Sequence, residues 1–213
     1  MLDEVQSGRL FLDPAFVDVP VDRRGLTDIA FSGDGEPTTC KYFRECVQLV
    51  ADLKRAAGLA RIKIILITDA CYLTKPDVAA ALAVMDCNNG EIWAKLDAGT
   101  EAYYQLVNRP NYPLGHVLEN IMAAARIRPI VIQSLFMRID AQPPDEAELM
   151  AYVTRLNEIK AAGGKIKLVQ VYTIARHPAE SYVTALSMDD VDTITSLVRE
   201  TTDLAAQSFY GPP

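Results

Sequence analysis

The sequence has little positive charge and no apolar run long enough to span a membrane. It contains 28 Asp and Glu residues against 21 Lys and Arg, which gives a net charge of -7. This balance argues against the broad basic surface that non-specific nucleic-acid binding needs, and so it disfavours nucleic acid as a partner. The first residues, Met1 to Val5, are charged and helix-like, not basic and then apolar. We therefore expect no secretory leader, no membrane partner and a cytoplasmic location.

Cysteine is also scarce. The spacing of the four cysteines, which are Cys40, Cys46, Cys71 and Cys87, is too irregular for a zinc ribbon. A cytoplasmic compartment disfavours disulfides. The sequence thus predicts mostly buried thiols and no metal held by residues of this chain.

Half of the residues are apolar, which is enough for one sizeable core, and we predict a single domain over residues 1–213. Short apolar runs typical of covered strands alternate with helical patterns: Asp28 to Phe31, Ile62 to Thr68, Glu91 to Leu96, Ile130 to Leu135 and Lys167 to Tyr172. Helices are predicted at Tyr42 to Ala57, Asp77 to Val84, Gly115 to Ala125 and Asp145 to Ala161, with a last one opened by Ser187 as N-cap. This alternation predicts an α/β fold with parallel strands and crossover helices.

The first predicted strand runs directly into a glycine-rich turn that carries one carboxylate. Gly33 and Gly35 permit backbone conformations closed to other residues and let a ligand approach the main chain, while Pro37 fixes φ after Glu36. An ordinary strand-to-helix turn is the alternative, because this spacing is not the dinucleotide-binding pattern. The turn is nevertheless a candidate ligand site.

Polar residues follow the carboxyl ends of all five predicted strands, where ligands bind in parallel β/α barrels. They are Glu36, Thr68, Asp69, Lys95, Asp97, Gln133, Ser134, Arg138, Asp140, Tyr172, Thr173 and Arg176. Each has a structural alternative when it is taken alone: Asp69 as a cap, Asp97 as a partner of Lys95 or Arg138, and Arg176 as a solvated charge. Their convergence at five strand ends favours a shared site.

Four segments together resemble the radical S-adenosylmethionine (SAM) superfamily, in its iron-sulfur oxidoreductase-like branch. They are Gly33-Asp-Gly-Glu-Pro37, Ile67-Thr-Asp-Ala70, Lys95-Leu-Asp-Ala-Gly-Thr100 and Gln170-Val-Tyr-Thr-Ile-Ala-Arg-His-Pro-Ala-Glu180. The similarity covers about residues 25–200. It implies a partial TIM-type (β/α) barrel of about five parallel strands with outer helices, in which the first strand of the family's (β/α)6 core is missing.

The resemblance implies SAM as a cofactor. The backbone near Gly35 and Glu36 would meet the SAM amino group, and Gln133 and Ser134 would approach its carboxylate or ribose. Asp97 and Arg176 would reach cofactor or substrate. The complete set of implied cofactor-binding residues is Gly33, Gly35, Glu36, Pro37, Thr68, Asp97, Gln133, Ser134 and Arg176, and no catalytic residue or substrate is implied.

One departure from the family concerns the Cys-x3-Cys-x2-Cys loop, which holds a [4Fe-4S] cluster after the family's first strand. This chain has no such loop, and Cys40 and Cys46 come after the glycine-rich turn instead of before it. We therefore expect a [4Fe-4S] cluster only in a longer form. Residues Met1 to Arg9 are interpreted as the tail of the first crossover helix, so the chain would begin after the cluster loop.

Without its first strand, the sheet would have an unpaired edge at Asp28 to Phe31. Proteins usually cover or pair such an edge. We expect coverage by the N-terminal segment or by a second copy of the chain, and the second alternative would make the protein a homodimer. The tail from Ala205 to Pro213 is expected to be a helix end followed by a loose or docked extension.

Three functions remain open from the sequence. The first is a radical SAM core whose complete form cleaves SAM reductively, although these residues alone lack the electron source. The second is a degenerate barrel without a cluster, serving as a ligand-binding or assembly module. The third is an unrelated β/α-barrel lyase that uses Glu36, Asp97 and Lys95, with Lys95 as base or Schiff-base former.

Overall fold

Six parallel strands form the main sheet of the protein, in a computed structural model that describes residues 2–33 and 35–211. The strands are β1 (Asp28–Phe31), β2 (Lys63–Thr68), β3 (Gly90–Lys95), β4 (Ile130–Leu135), β6 (Ile166–Tyr172) and β8 (Ala206–Phe209), and they lie side by side in that order. Asp34 of the predicted turn, Met1 of the predicted first helix, and Pro212 and Pro213 of the tail lie outside the described residues.

The helices of the described chain are α1 (Leu2–Gln6), α2 (Phe43–Ala56), α3 (Pro76–Asp86), α4 (Glu101–Asn108), α5 (Leu114–Ile127), α6 (Glu146–Ala161) and α7 (Met188–Thr202). All of them except α1, which buries no residue, contribute to the apolar core on one face of the sheet. Alternate strand residues such as Leu66, Ala94 and Ile132 join the helices in one buried apolar cluster. The intervening strand residues form the opposite face, called the inner face below. The predicted cap of the last helix is confirmed, because Ser187 caps α7 in a capping box with Asp190. Asp145, predicted as the first residue of its helix, is the N-cap of α6.

The strand order decides the architecture. Each strand pairs with the previous strand of the sheet, so every crossover moves in the same direction and, with right-handed connections, leaves its helix on the same face. This α/β arrangement is consistent with a partial β/α barrel. In the described chain β1 and β8 are the two edges of the sheet and do not pair with each other.

Three elements differ from the sequence expectations. The tail does not continue as a helix end, because Ala206–Phe209 forms β8 in parallel register with β6. Helix α4 was not predicted. A two-stranded antiparallel ribbon, β5 (Met137–Ile139) and β7 (Val183–Ala185), stands beside the main sheet and was not predicted either.

The N-terminal segment adds no strand to the β1 edge. The predicted helix through Arg9 is shorter, because α1 ends at Gln6 and a short 3-10 turn follows at Arg9–Leu12. Within the described residues β1 has a partner strand on one side only, which is β2. The segment before β1 also exposes apolar side chains, with Leu12 79% and Val21 78% accessible. None of the described helices is long and apolar enough to cross a membrane.

Candidate functional site

The Glu36 carboxylate fastens the glycine-rich turn to the end of β2. Its Oε1 accepts hydrogen bonds from the Thr38 amide (3.0 Å), the Thr38 hydroxyl (2.5 Å) and the Thr68 hydroxyl (2.8 Å), and its Oε2 accepts one from the Asp69 amide (2.7 Å). Burial raises the pKa of the Glu36 carboxyl, and the hydrogen bonds from Thr38 and Asp69 oppose that rise. Glu36 and Thr68 thus hold the turn in place, and the Glu36 carboxylate is occupied by the protein itself.

The turn leaves its glycine backbone open to a ligand. Gly33 has a φ of 144°, a conformation that favours glycine, and no other described residue hydrogen bonds with the backbone of Gly33 or Gly35. A Cβ atom built on either glycine would meet nothing within 4 Å. Pro37 begins the short helical turn that Glu36 caps. The sequence-predicted turn is therefore an accessible main-chain surface.

A small pocket of about 280 Å³ lies against this surface. It is lined by Ser32, Gly33, Gly35, Glu36, Ile67, Thr68, Asp69 and Lys95. Asp69 accepts a hydrogen bond from the Cys71 amide through Oδ1, while its Oδ2 has no hydrogen-bond partner in the described chain. The Lys95 ammonium has neither a hydrogen bond nor an ion pair with another described residue. One carboxylate oxygen and one ammonium thus remain available in a single pocket.

Lys95 begins a polar row that crosses four strands of the inner face. The strand register aligns Lys95 with Gln133, Gln133 with Gln170, and Gln170 with Gln207. The Gln133 amide donates to Gln170 Oε1 at 3.1 Å. This row brings the predicted residue Gln133 next to the turn pocket and adds Gln170 and Gln207, which sequence reasoning did not select as site residues. The available signal was at Gln170, which lies between the buried apolar residues Val169 and Val171.

Ser134 and Asp97 lie away from the row. The Ser134 hydroxyl is fully buried on the helix-covered face and hydrogen bonds with the Tyr152 hydroxyl at 2.7 Å. Asp97 is buried and accepts hydrogen bonds from the Asn108 side chain and the Leu135 amide, both at 2.8 Å. Burial raises the pKa of the Asp97 carboxyl. Asp97 therefore joins the end of α4 to the residue that ends β4.

The suggested ion pair of Asp97 with Arg138 does not form, because Arg138 pairs with Asp190 in the first turn of α7. The segment that follows Asp97 is held by hydrogen bonds to α6. The Gly99 and Thr100 amides and the Thr100 hydroxyl donate to the buried carboxylate of Glu148 on α6. Much of the Lys95-Leu-Asp-Ala-Gly-Thr100 motif is thus structural, and Lys95 is its member on the inner face.

Arg176 lies in a different place, at the carboxyl end of β6. It lines a larger chamber of about 580 Å³ together with Leu135, Tyr172 and the ends of α4 and the β5–β7 ribbon. His177 lies beside it, with Nδ1 at 2.8 Å from the Pro178 carbonyl. The structure therefore groups Arg176 with this chamber and not with the glycine-rich turn.

The cysteines do not form a metal site in the described residues. Cys40, Cys46 and Cys87 are exposed, and only Cys71 is buried, so the expectation of mostly buried thiols is wrong. Burial raises the pKa of the Cys71 thiol to about 12, so that this group stays protonated at neutral pH. Across residues 2–33 and 35–211, no group of three or more His, Cys, Asp or Glu side chains is placed to hold a metal ion.

Comparison with known proteins gives a likeness in fold. No protein-family model matches the chain, and no curated protein matches it. Among solved structures, archaeal TYW1 matches with a TM-score of 0.55 and 10% sequence identity. The likeness shows that the two chains share a fold. It covers 93% of this chain, which spans only 59% of the TYW1 chain.

Proposed function

We propose that this chain binds SAM, with the amino-acid end of the molecule in the pocket at the Gly33–Pro37 turn. The observation that carries the proposal is the pairing of an open glycine backbone with one available carboxylate oxygen and one available ammonium in the same small pocket. A zwitterionic amino acid needs an acceptor for its ammonium and donors for its carboxylate. Asp69 Oδ2 and the turn backbone supply the first, and Lys95 supplies the second.

The polar row extends this pocket across the sheet. From β2 to β6 there are three strand spacings, roughly 14 Å in total, which is close to the length of an extended nucleoside joined to an amino acid. Gln133 and Gln170 offer amide donors and acceptors along this path, as the hydroxyl groups of a ribose require. In this proposal Glu36 and Thr68 act by holding the turn, and Ser134 and Asp97 by supporting the strand ends.

The described residues do not fit a [4Fe-4S] cluster, which needs thiolate ligands gathered at one place. When bound, such a cluster supplies the electron that cleaves SAM. We infer that radical SAM oxidoreductase activity belongs only to a form of the protein with further cluster ligands. The residues of this chain position the cofactor in that form.

Titration calorimetry of SAM against the purified chain tests the proposal. The substitution Gly35→Leu places a side chain in the space that a ligand would occupy, and it leaves the fold intact because a Cβ there meets nothing within 4 Å. We expect SAM to bind the wild type in competition with methionine. We expect Gly35→Leu to weaken binding by more than about tenfold, as blocking a required contact does.

Gly25→Leu is the matched control. Gly25 precedes β1, and a Cβ built there also meets nothing within 4 Å, so this variant should bind SAM as the wild type does. Equal SAM affinity of the Gly35→Leu and Gly25→Leu proteins would contradict the proposed site. Failure of SAM to bind the wild type at all would contradict the proposed function.

A further inference from the structure

The chamber at the carboxyl end of β6 is a cavity with a mostly apolar lining. Its volume is about 580 Å³, and its walls come from α4, from the end of β4 and from residues 172–183. Leu135 and Tyr172, which pair in register two residues beyond Gln133 and Gln170, form part of it. The chamber therefore adjoins the polar row without sharing a lining residue with the pocket at the turn.

The β5–β7 ribbon gives the chamber a fixed wall. Met137, Ile139 and Val183 line the chamber, whereas Arg138, which alternates with them, does not. Arg138 instead pairs with Asp190 on α7. The ribbon thus turns one apolar face to the cavity and is tied to a helix through the other.

The mouth of the chamber carries excess positive charge. Arg109 donates to Glu180 Oε1 at 2.9 Å and also to the Tyr182 hydroxyl. Arg176 has no hydrogen-bond or ion-pair partner in the described chain. Two guanidinium groups and one carboxylate therefore border an apolar cavity in a chain whose net charge is -7. Guanidinium groups recognise carboxylates, sulfonates and phosphates by paired hydrogen bonds.

We propose that this chamber is a second ligand site, for an organic molecule with an apolar body and one anionic group. The body fills the lining formed by Leu135, Met137 and Ile139, and the anionic group meets Arg176 at the mouth. The proposed SAM pocket lies three strands away, at the end of β1 and β2, so the two ligands occupy the inner face together. This arrangement places a substrate beside a cofactor.

The probe for this class of ligand is 8-anilinonaphthalene-1-sulfonate, with N-phenyl-1-naphthylamine as its uncharged analogue. In protein labelled with [13C-methyl]methionine, the sulfonate should shift the Met137 resonance saturably and leave Met85 unchanged, because Met85 is buried beneath the helices. Arg176→Gln should lower the affinity for the sulfonate about fivefold, as expected for a partly exposed ion pair, without changing the affinity for the amine.

Arg61→Gln removes an exposed arginine at the other end of β2 and serves as the matched control. Ala179→Phe adds a ring at an exposed position of the chamber lining, and we expect it to abolish binding of both probes without lowering the melting temperature. Equal effects of Arg176→Gln and Arg61→Gln, or unchanged probe binding in Ala179→Phe, would overturn the proposal. A shift of Met85 without Met137 would do so as well.

Measuring sulfonate binding with and without a saturating concentration of SAM distinguishes a failure of this inference from a failure of the proposed function. We expect the sulfonate to bind equally well with and without SAM. If SAM displaces the sulfonate, the chamber is the nucleoside end of the SAM site, and the second site is disproved while SAM binding stands. If SAM does not bind but the sulfonate behaves as expected, the proposed function fails and the second site stands.

Discussion

At the scale of single residues, Glu36 shows how a carboxylate in a glycine-rich turn acts through the backbone. Its two oxygens accept four hydrogen bonds, from Thr38, Thr68 and Asp69. A ligand that approached this carboxylate would have to displace them. The ligand-facing groups of the turn are instead the glycine backbone and the neighbouring Asp69 and Lys95.

Glu36→Gln tests this structural role. The amide replaces one accepting oxygen with a donor, which leaves either the Asp69 amide or the Thr68 and Thr38 donors without an acceptor. We expect the free energy of unfolding in urea to fall by about 1 to 3 kcal/mol, the cost of an unsatisfied buried polar group. Glu45→Gln, at an exposed position of α2, should leave it unchanged, and an equal effect of both substitutions would contradict the role of Glu36.

Asp97 predicts a pH dependence of stability. Because burial raises its folded-state pKa above the ordinary value of 3.8, the folded protein favours the protonated carboxyl. This contribution is fully present below pH 3.8 and is lost as the pH rises through the raised folded-state pKa. Relative to Asp97→Asn, the wild type should therefore lose free energy of unfolding with rising pH above 3.8. Urea unfolding from pH 4 to 8 measures it, and parallel curves for the two proteins would contradict it.

At the scale of elements, Gly99 is the point at which the segment after β3 meets α6. A Cβ atom at Gly99 would lie 2.0 Å from the Tyr152 amide nitrogen and 2.4 Å from the Ala151 carbonyl carbon. Both are backbone atoms and cannot turn aside. The close approach lets Glu148 reach the Gly99 and Thr100 amides.

Gly99→Ala should therefore separate α6 from this segment. We expect a loss of about 3 kcal/mol in the free energy of unfolding, the upper part of the usual range for overpacking. Gly25→Ala, where the added methyl meets nothing within 4 Å, should change it little. Equal thermal unfolding of the two variants would show that α6 tolerates a larger separation.

Most elements that the sequence predicted have an apolar run that is buried in large part or a helical apolar stripe. Strands β2, β3, β4 and β6 meet this condition, whereas β1 has no buried residue and was predicted from its short apolar run alone. Helix α4 does not meet it, because only Tyr104 among its eight residues is buried, and in β8 only Ala206 is buried. Both are held by neighbours distant in sequence, which a local pattern does not report.

The residues of the candidate site also differ in whether the local sequence could predict them. The glycine-rich turn was visible from local residue types, since Gly33, Gly35 and Pro37 each restrict the backbone. The alignment of Lys95 with Gln133 and Gln170 depends on strand register, and the direction of Ser134 depends on which face the helices cover. Register and facing are set by the packing of the whole sheet, and so they could not be obtained from the segments singly.

At the scale of the molecule, the edge of β1, which no other strand of the described residues pairs, predicts self-association. We propose a homodimer in which β1 pairs with β1 of a second copy, aided by the apolar residues exposed before it. Sedimentation velocity should then show a concentration-dependent dimer. Ala30→Lys, on the exposed part of β1, should shift it to monomer by bringing like charges together at the shared edge.

Gln207→Lys is the control for this dimer, because Gln207 is exposed on β8 at the opposite edge of the same sheet. It should leave the association unchanged. A wild type that remains monomeric at high concentration, or a dimer that survives Ala30→Lys but not Gln207→Lys, would contradict pairing through β1.

The sequential strand order also sets how the chain can be assembled as it is synthesised. Each pairing joins segments of modest separation, from Ile64 with Gly90 to Trp93 with Val131. When a strand leaves the ribosome, the strand that it pairs with has already been synthesised. It can therefore join the edge of the sheet without breaking the hydrogen bonds of an earlier strand pair.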